Sequence, residues 1–261
     1  MIEKIIHYVW LGDNEIPAEF QDFINGWKQL HPKWQFIIWN EGNFDVESNS
    51  WVSAAVEQKN YSLAADVIRS YALLVHGGVY LDVDVQLLKP LDPFVEENDF
   101  FIGYETDLWF GCAILGAKKG HKIIKEVYDR YLVPYDMLNS KSNMLCVFNF
   151  SAVIKRLYGI KLNGKTQKIE DNTMLYSSEW FFPKSYMTHM TEITENTVAI
   201  HHYTSTWWST GQRRGQRFAR RVRLILGKKF FNCFERIARK RMFIKLKKED
   251  KIREGLKENV N

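Results

Sequence analysis

Residues 62–84 read Ser62-Leu63-Ala64-Ala65-Asp66-Val67-Ile68-Arg69-Ser70-Tyr71-Ala72-Leu73-Leu74-Val75-His76-Gly77-Gly78-Val79-Tyr80-Leu81-Asp82-Val83-Asp84. Ser62 to Val75 predicts a helix, His76-Gly77-Gly78 its stop, and Val79 to Val85 a strand. Working upstream, Lys4 to Trp10 is an apolar run closed by Gly12-Asp13-Asn14, which suits a buried strand. Pro17 to Leu30 places Phe20, Phe23, Ile24, Trp27 and Leu30 at helical spacing, with a proline near the first turn and His31-Pro32 as the stop. Gln35 to Trp39 reads as a second strand and Trp51 to Val56 as a second helix. Alternation of strand and helix is the pattern of an α/β sheet with parallel strands. Downstream, Phe100–Tyr104, Cys112–Leu115, Met174–Ser177 and Thr197–Tyr203 are expected as strands. His121–Tyr131 and Ser142–Leu157 are expected as helices, the latter ending at Gly159.

Composition narrows the class. The chain has 261 residues, 46% hydrophobic and 26% charged, which fits a folded protein rather than a disordered one. No apolar run reaches the roughly 18 residues of a membrane-spanning helix. The opening residues run almost directly into strand-like sequence, so no secretory leader is expected. Cys112, Cys146 and Cys233 are odd in number and far apart, which points to reduced thiols and a cytosolic setting rather than a disulfide framework. Residues 211–261 hold 18 Lys/Arg against 5 Asp/Glu, leaving 18 against 26 for residues 1–210. An acidic body (1–210) thus carries a basic tail (211–261), and the two are expected to act separately.

The chemistry is expected at Asp82 and Asp84. On a strand, alternate residues share a face, so both carboxylates project together while Val83 and Val85 turn into the core. Such a pair repels itself and resists burial, and a hard divalent cation relieves both penalties. DxD alone equally describes a solvated strand end. Asp66 and Arg69 sit three apart on the preceding helix and share a face. They read either as a surface ion pair or as groups flanking the metal-bearing strand end. At the other end of the chain, Val198-Ala199-Ile200 is strand-like and runs into His201-His202. Either imidazole could give a nitrogen to the same cation, and Ser205, Thr206 and Trp207 offer donors for phosphate oxygens. Gly159 to Thr166 satisfies GxxxxGK[ST], but a helix precedes it and a polar segment follows, so it is expected as a loop rather than a phosphate-binding loop.

Taken together, Gly77–Asp84 and the Ala65-Asp66…Arg69 helix resemble the DxD glycosyltransferases of family 32, which include initiating mannosyltransferases and bacterial capsule enzymes. The same stretch is similar to the catalytic domain of the large clostridial glucosylating toxins. The resemblance spans residues 1–210. It includes Ile5–Gly12, the landmark Phe181-Phe182-Pro183, and His201–Trp207 as the C-terminal His-His-x-x-x-Ser-Trp element. It implies a GT-A type, Rossmann-like mixed sheet flanked by helices. It also implies a nucleotide-sugar donor, with a UDP-hexose preferred, and Mn²⁺ or Mg²⁺ held by Asp82, Asp84 and His202. Trp10 would stack on the base, Tyr80 would shape the pocket, and Asp66 and Arg69 would meet sugar hydroxyls and anionic oxygen. The implied reaction is retaining transfer to a hydroxyl of a growing, lipid-linked, cell-surface glycan. A non-catalytic sugar- or membrane-binding protein is the alternative. In the tail, basic residues interleave with Phe218, Val222, Ile225, Phe230, Phe231, Phe234, Ile237 and Phe243 in one or two amphipathic helices. These either dock on the body or lie on the cytoplasmic face of a membrane as a peripheral contact, and no nucleic-acid motif is visible.

Overall fold

A computed structural model describes residues 1–135, 145–204 and 220–227, with the single helical positions 230, 237 and 244. The main sheet has seven strands: β1 (Ile5–Val9), β2 (Gln35–Trp39), β3 (Gly78–Leu81), β5 (Phe100–Thr106), β6 (Trp109–Ala117), β7 (Gln167–Ile169) and β8 (Thr173–Tyr176). Their order is β2-β1-β3-β6-β5-β8-β7. A separate two-stranded sheet pairs β4 (Val85–Leu87) with β9 (Ala199–His201).

The first half is built as its pattern predicts. β1 pairs in parallel with both β2 and β3. The connections are α1 (Ala18–Leu30), then α2 (Ser50–Glu57) and α3 (Tyr61–His76). α1 buries Phe20, Ile24 and Trp27 along one stripe. α2 is capped by Asn49, whose side-chain oxygen accepts from the amides of Trp51 and Val52. α3 ends at Gly77, whose φ of 69° is a conformation glycine adopts without strain.

Beyond β3 the sheet turns mixed. β3, β6 and β5 are antiparallel neighbours, β5 and β8 are parallel, and the edge strand β7 is antiparallel to β8. The purely parallel arrangement suggested by strand–helix alternation therefore stops at β3. The mixed, helix-flanked sheet expected of a GT-A type body is what the chain forms. The flanking elements on this side are α4 (Asp92–Glu97), α5 (Lys122–Asp129), α6 (Leu145–Tyr158) and α7 (Ser178–Phe181). Gly159, at φ 62°, follows α6, and β7 rather than a helix follows the GxxxxGK[ST] match. That geometry is no phosphate-binding loop.

Two apolar clusters cover the sheet. Leu63, Val67 and Ile68 of α3, with Ile124 of α5 and Phe150 of α6, pack on one side together with Tyr80. Ile24 and Trp27 of α1, Phe94 of α4 and Phe181 of α7 pack on the other with Val79 and Leu81. The alternation of Val79, Tyr80 and Leu81 between clusters is the two-residue period of a strand buried on both faces. Since α1 joins one cluster and α2–α3 the other, the chain reverses its sheet direction at β1. The crevice beyond the C-terminal ends of β1 and β3 is a topological switch point, where open α/β sheets bind ligands.

Within β1, His7 is fully buried and hydrogen-bonded through both nitrogens. Nδ1 accepts from the Trp39 indole N–H at 3.1 Å, so the ring proton sits on Nε2, which donates to the Gly77 carbonyl at 2.8 Å. Burial pushes its pKa down to about 4. The neutral ring is thus required in the folded state, while the unfolded chain takes up a proton below its ordinary 6.5. Stability is expected to fall as pH drops from 6.5 towards 4, by about 3 kcal/mol from this group. Urea denaturation at pH 7 and pH 4.5 checks this, with His7→Gln expected to lose less between those two values than the parent.

Candidate active site

Asp82 and Asp84 come together by a turn. β3 ends at Leu81, and Asp82-Val83-Asp84 forms a reverse turn closed by the Val85 amide donating to the Asp82 carbonyl at 3.0 Å. The expectation of one strand from Val79 to Val85 is corrected here. The chain leaves the main sheet at Asp82 and starts β4 in the small sheet at Val85. The β-branched valines disguise the break, because Val83 is only partly buried while Val85 is fully so.

Each carboxylate has one oxygen fixed by the protein. Asp82 Oδ1 accepts from Arg69 Nη2 at 2.8 Å. Asp84 Oδ2 accepts from the amide and the hydroxyl of Thr204, both at 2.9 Å. The second oxygens face His201, whose Nε2 lies 3.2 Å from Asp84 Oδ1 and 3.9 Å from Asp82 Oδ2. The three side chains offer ligand atoms all within 4.8 Å of one another. Two carboxylate oxygens and one imidazole nitrogen make a donor set that suits Mn²⁺ or Mg²⁺. The proximity of His201 and Thr204 depresses the Asp84 pKa despite burial, and Asp84 in turn raises that of His201.

His201 takes the place expected of His202. β9 pairs with β4 in a register that sets His201 opposite Val85, so the next residue turns the other way. His202 stacks on Phe23 of α1, ring centroids 4.9 Å apart at 13°, and its Nε2 bonds Gln86 Oε1 at 3.0 Å. The His202 amide, by contrast, donates to the Asp84 carbonyl at 3.0 Å and helps hold the turn.

Asp66 and Arg69 lie behind the carboxylates. Arg69, 4% exposed, donates through Nη1 to Asp66 at 3.1 Å and to the Cys146 sulfur at 3.0 Å. Burial pushes the Asp66 pKa up to about 6 against the pull of Arg69. Tyr80, 1% exposed, lies beneath the guanidinium, 4.3 Å from ring centroid to Cζ. The structure buries Asp66, Arg69 and Tyr80 behind Asp82, with Arg69 holding one of its carboxylate oxygens.

Trp10 follows β1 at the same sheet end as Asp82. It is half-buried, donates to the Asn14 carbonyl at 2.6 Å and meets Phe20 edge-on at 6.2 Å. Ser205, Thr206 and Trp207 lie outside the described residues, as does Cys233. Cys112 and Cys146 are free, buried thiols.

The landmark Phe181-Phe182-Pro183 acquires a function in packing. A methyl group at Gly111 would lie 2.4 Å from the Phe182 ring, and one at Gly103 would lie 2.8 Å from the Phe181 ring and 3.2 Å from the Phe182 ring. The two glycines of β5 and β6 therefore form a notch for the phenylalanines, and Phe182 meets His201 edge-on at 6.1 Å. Thr204, Phe182 and the glycine notch were not singled out as site residues from sequence; Thr204 lies inside the His201–Trp207 motif, which was the available signal.

Residues 17–101 match the family model described as a glycosyltransferase sugar-binding region containing a DXD motif. The chain is 33% identical over 124 residues to inositol phosphoceramide mannosyltransferase 1 of Schizosaccharomyces pombe, covering 42% of this chain and 38% of that protein. It is 28% identical over 169 residues to the mannosyl phosphorylinositol ceramide synthase SUR1 of Saccharomyces cerevisiae, covering 60% of this chain and 43% of that protein. The chain therefore spans well under half the length of these curated relatives. The solved PaToxG glycosyltransferase aligns with a TM-score of 0.48 at 18% identity, over 60% of this chain and 69% of that one. The resemblance to DXD-containing glycosyltransferases is borne out by the family model and the curated relatives.

Proposed function

We propose that residues 1–210 are the catalytic domain of a metal-dependent glycosyltransferase. It moves a hexose from a nucleotide-sugar donor to a hydroxyl of a lipid-linked glycan or glycolipid, with retention at the anomeric carbon. The convergence of Asp82, Asp84 and His201 at the switch point beyond β3 carries this reading. Mn²⁺ or Mg²⁺ bound by these three residues would neutralise a leaving diphosphate.

The rest of the work falls to the chain itself. Arg69, propped on Tyr80 and balanced by Asp66, fixes one oxygen of Asp82, and Thr204 fixes one oxygen of Asp84. The carboxylate oxygens that face His201 are thereby pre-organised before any ligand arrives. Trp10, at the end of β1, is assigned to the base, and Asp82, the more exposed carboxylate, to ribose or sugar hydroxyls. No separate general base is assigned, since in front-face retention the leaving phosphate oxygen can take the acceptor's proton.

The relatives support a reading of sugar class and acceptor. Their names describe mannosyl transfer to phosphoinositol-bearing ceramides, which adds a mannosyl donor to the UDP-hexose expected from sequence. A membrane-associated acceptor also suits the tail. Residues 220–227 are helical, Leu224, Ile225 and Leu226 are 64%, 79% and 49% exposed, and Arg223 ties the segment to the body through Thr188 and Glu192. That arrangement combines partial docking with an exposed apolar turn, and we assign the turn to peripheral contact with an anionic membrane. No helix among the described residues is long and apolar enough to cross a membrane.

The full chain incubated with Mn²⁺ and a panel of UDP- and GDP-sugars is expected to hydrolyse one donor, and product NMR to show the donor's anomeric configuration. Absence of hydrolysis across the panel would favour the sugar- or membrane-binding alternative, and an inverted product would remove the retaining assignment.

A further inference from the structure

Lys184 follows the Phe181-Phe182-Pro183 landmark directly, and its backbone is held on both sides. It bridges to Thr191 in antiparallel fashion, and the Glu192 amide donates to the Pro183 carbonyl at 3.0 Å. The side chain is half-buried, yet among the described residues it donates no hydrogen bond and forms no ion pair. Its ammonium lies within electrostatic reach of Asp84 and Glu19 on the acidic side, and of His189 and His202 on the basic side. A lysine that has lost part of its water without gaining a partner is an unfavourable arrangement unless an anion completes it.

The neighbours say where that anion would lie. Glu19 and Phe20 are consecutive in the first turn of α1, Phe20 packs on Trp10, and Phe23 one turn later stacks on His202. Lys184 is two residues past Phe182, whose ring meets His201 edge-on at 6.1 Å, so its backbone is anchored beside the Asp82–Asp84–His201 cluster. Arg69 offsets Asp66, and a dication would match Asp82 and Asp84, which leaves Glu19 and Lys184 as the remaining opposite charges there. A diphosphate entering such a site needs a further cation to balance it.

We propose that Lys184 is a phosphate ligand of this site, its ammonium taking a phosphate oxygen of a substrate held between Trp10 and the Asp82–Asp84–His201 cluster. The proposal rests on the reading of that cluster as a glycosyl-transfer site and adds the residue that balances the substrate's charge. The phosphate is either that of the nucleotide donor or one carried by the acceptor, and the two sources are separable. Titration calorimetry of the full chain with Mn²⁺ would compare inorganic pyrophosphate with inositol phosphate, for the parent, Lys184→Met and Lys184→Arg.

The expected result is a loss on the order of tenfold in affinity for one of these probes in Lys184→Met, largely restored in Lys184→Arg, with Mn²⁺ binding unchanged. Weakened pyrophosphate binding assigns the contact to the donor, and weakened inositol phosphate binding assigns it to the acceptor. If the parent binds a probe and Lys184→Met binds both as well as the parent, Lys184 is excluded while the cluster stands. If the parent binds neither probe with Mn²⁺ present, the proposal and the reading of the cluster fall together. Lys184→Gln, with thermal melts of all variants, guards against a folding defect being read as lost affinity.

Discussion

Asp84→Asn is expected to fold like the parent and to lose metal-supported donor turnover by on the order of a thousandfold. The size of the loss follows from how Asp84 is held. Its Oδ2 takes two hydrogen bonds from Thr204, one from the amide and one from the hydroxyl, so an asparagine will turn its carbonyl oxygen to Thr204. Its amide NH₂ must then face His201 and Asp82, where a donor replaces a ligand oxygen. The turn itself survives, because the Asp84 backbone carbonyl still accepts from the His202 amide and the Val85 amide still closes on Asp82. Steady-state donor hydrolysis against Mn²⁺ concentration, alongside a thermal melt, checks both halves. Turnover within tenfold of the parent would take Asp84 out of the site.

The second large effect is expected on stability rather than chemistry. Arg69→Met removes the cation from between Asp66 and Asp82, both at least partly buried. Breaking a buried pair leaves an uncompensated charge, at a cost of about 3–5 kcal/mol. For a chain of this length that corresponds to a fall of roughly 10 °C in Tm. The direction with pH is fixed by Asp66. Burial already raises its pKa to about 6, and without Arg69 it rises further. A carboxyl with a raised folded-state pKa binds its proton more tightly in the folded chain, so this group's contribution grows as pH falls. The deficit of Arg69→Met relative to the parent is therefore expected to be largest near pH 8 and smaller near pH 5.5. Arg69→Lys should recover part of the stability, yet a single ammonium cannot grip Asp66, Cys146 and Asp82 at once. A flat difference between Arg69→Met and the parent across that pH range would show that Asp66 is not the group left exposed to the change.

These two residues also mark the boundary of what the sequence disclosed. The periodicity of residues 17–30 and 62–75 and the apolar runs of β1, β2 and β5 carried their own structure, because local pattern and burial agree there. The DxD segment did not. Val83 and Val85 continue the look of a strand, and only the pairing of β4 with β9, more than a hundred residues away, reveals that the chain has turned out of the sheet. The choice between His201 and His202 depends on that same register, which no local signal encodes. β7 was missed for another reason: a three-residue polar edge strand has neither length nor alternation to announce it. The burial of Asp66 and Arg69 was hidden because an i,i+3 ion pair looks the same on paper whether it faces water or the sheet.

The notch that receives Phe181 and Phe182 has a further consequence for how this chain can vary. Gly103 and Gly111 belong to adjacent strands, the aromatic pair comes from some seventy residues later, and His201 rests against its edge. None of these positions can enlarge alone: a side chain at 111 would evict the Phe182 ring and release the imidazole it steadies. Substitutions there must travel as a set, so in an alignment of relatives the two small positions and the bulky ones should change in concert, tracing the path by which distant segments stay locked to one carboxylate–imidazole cluster.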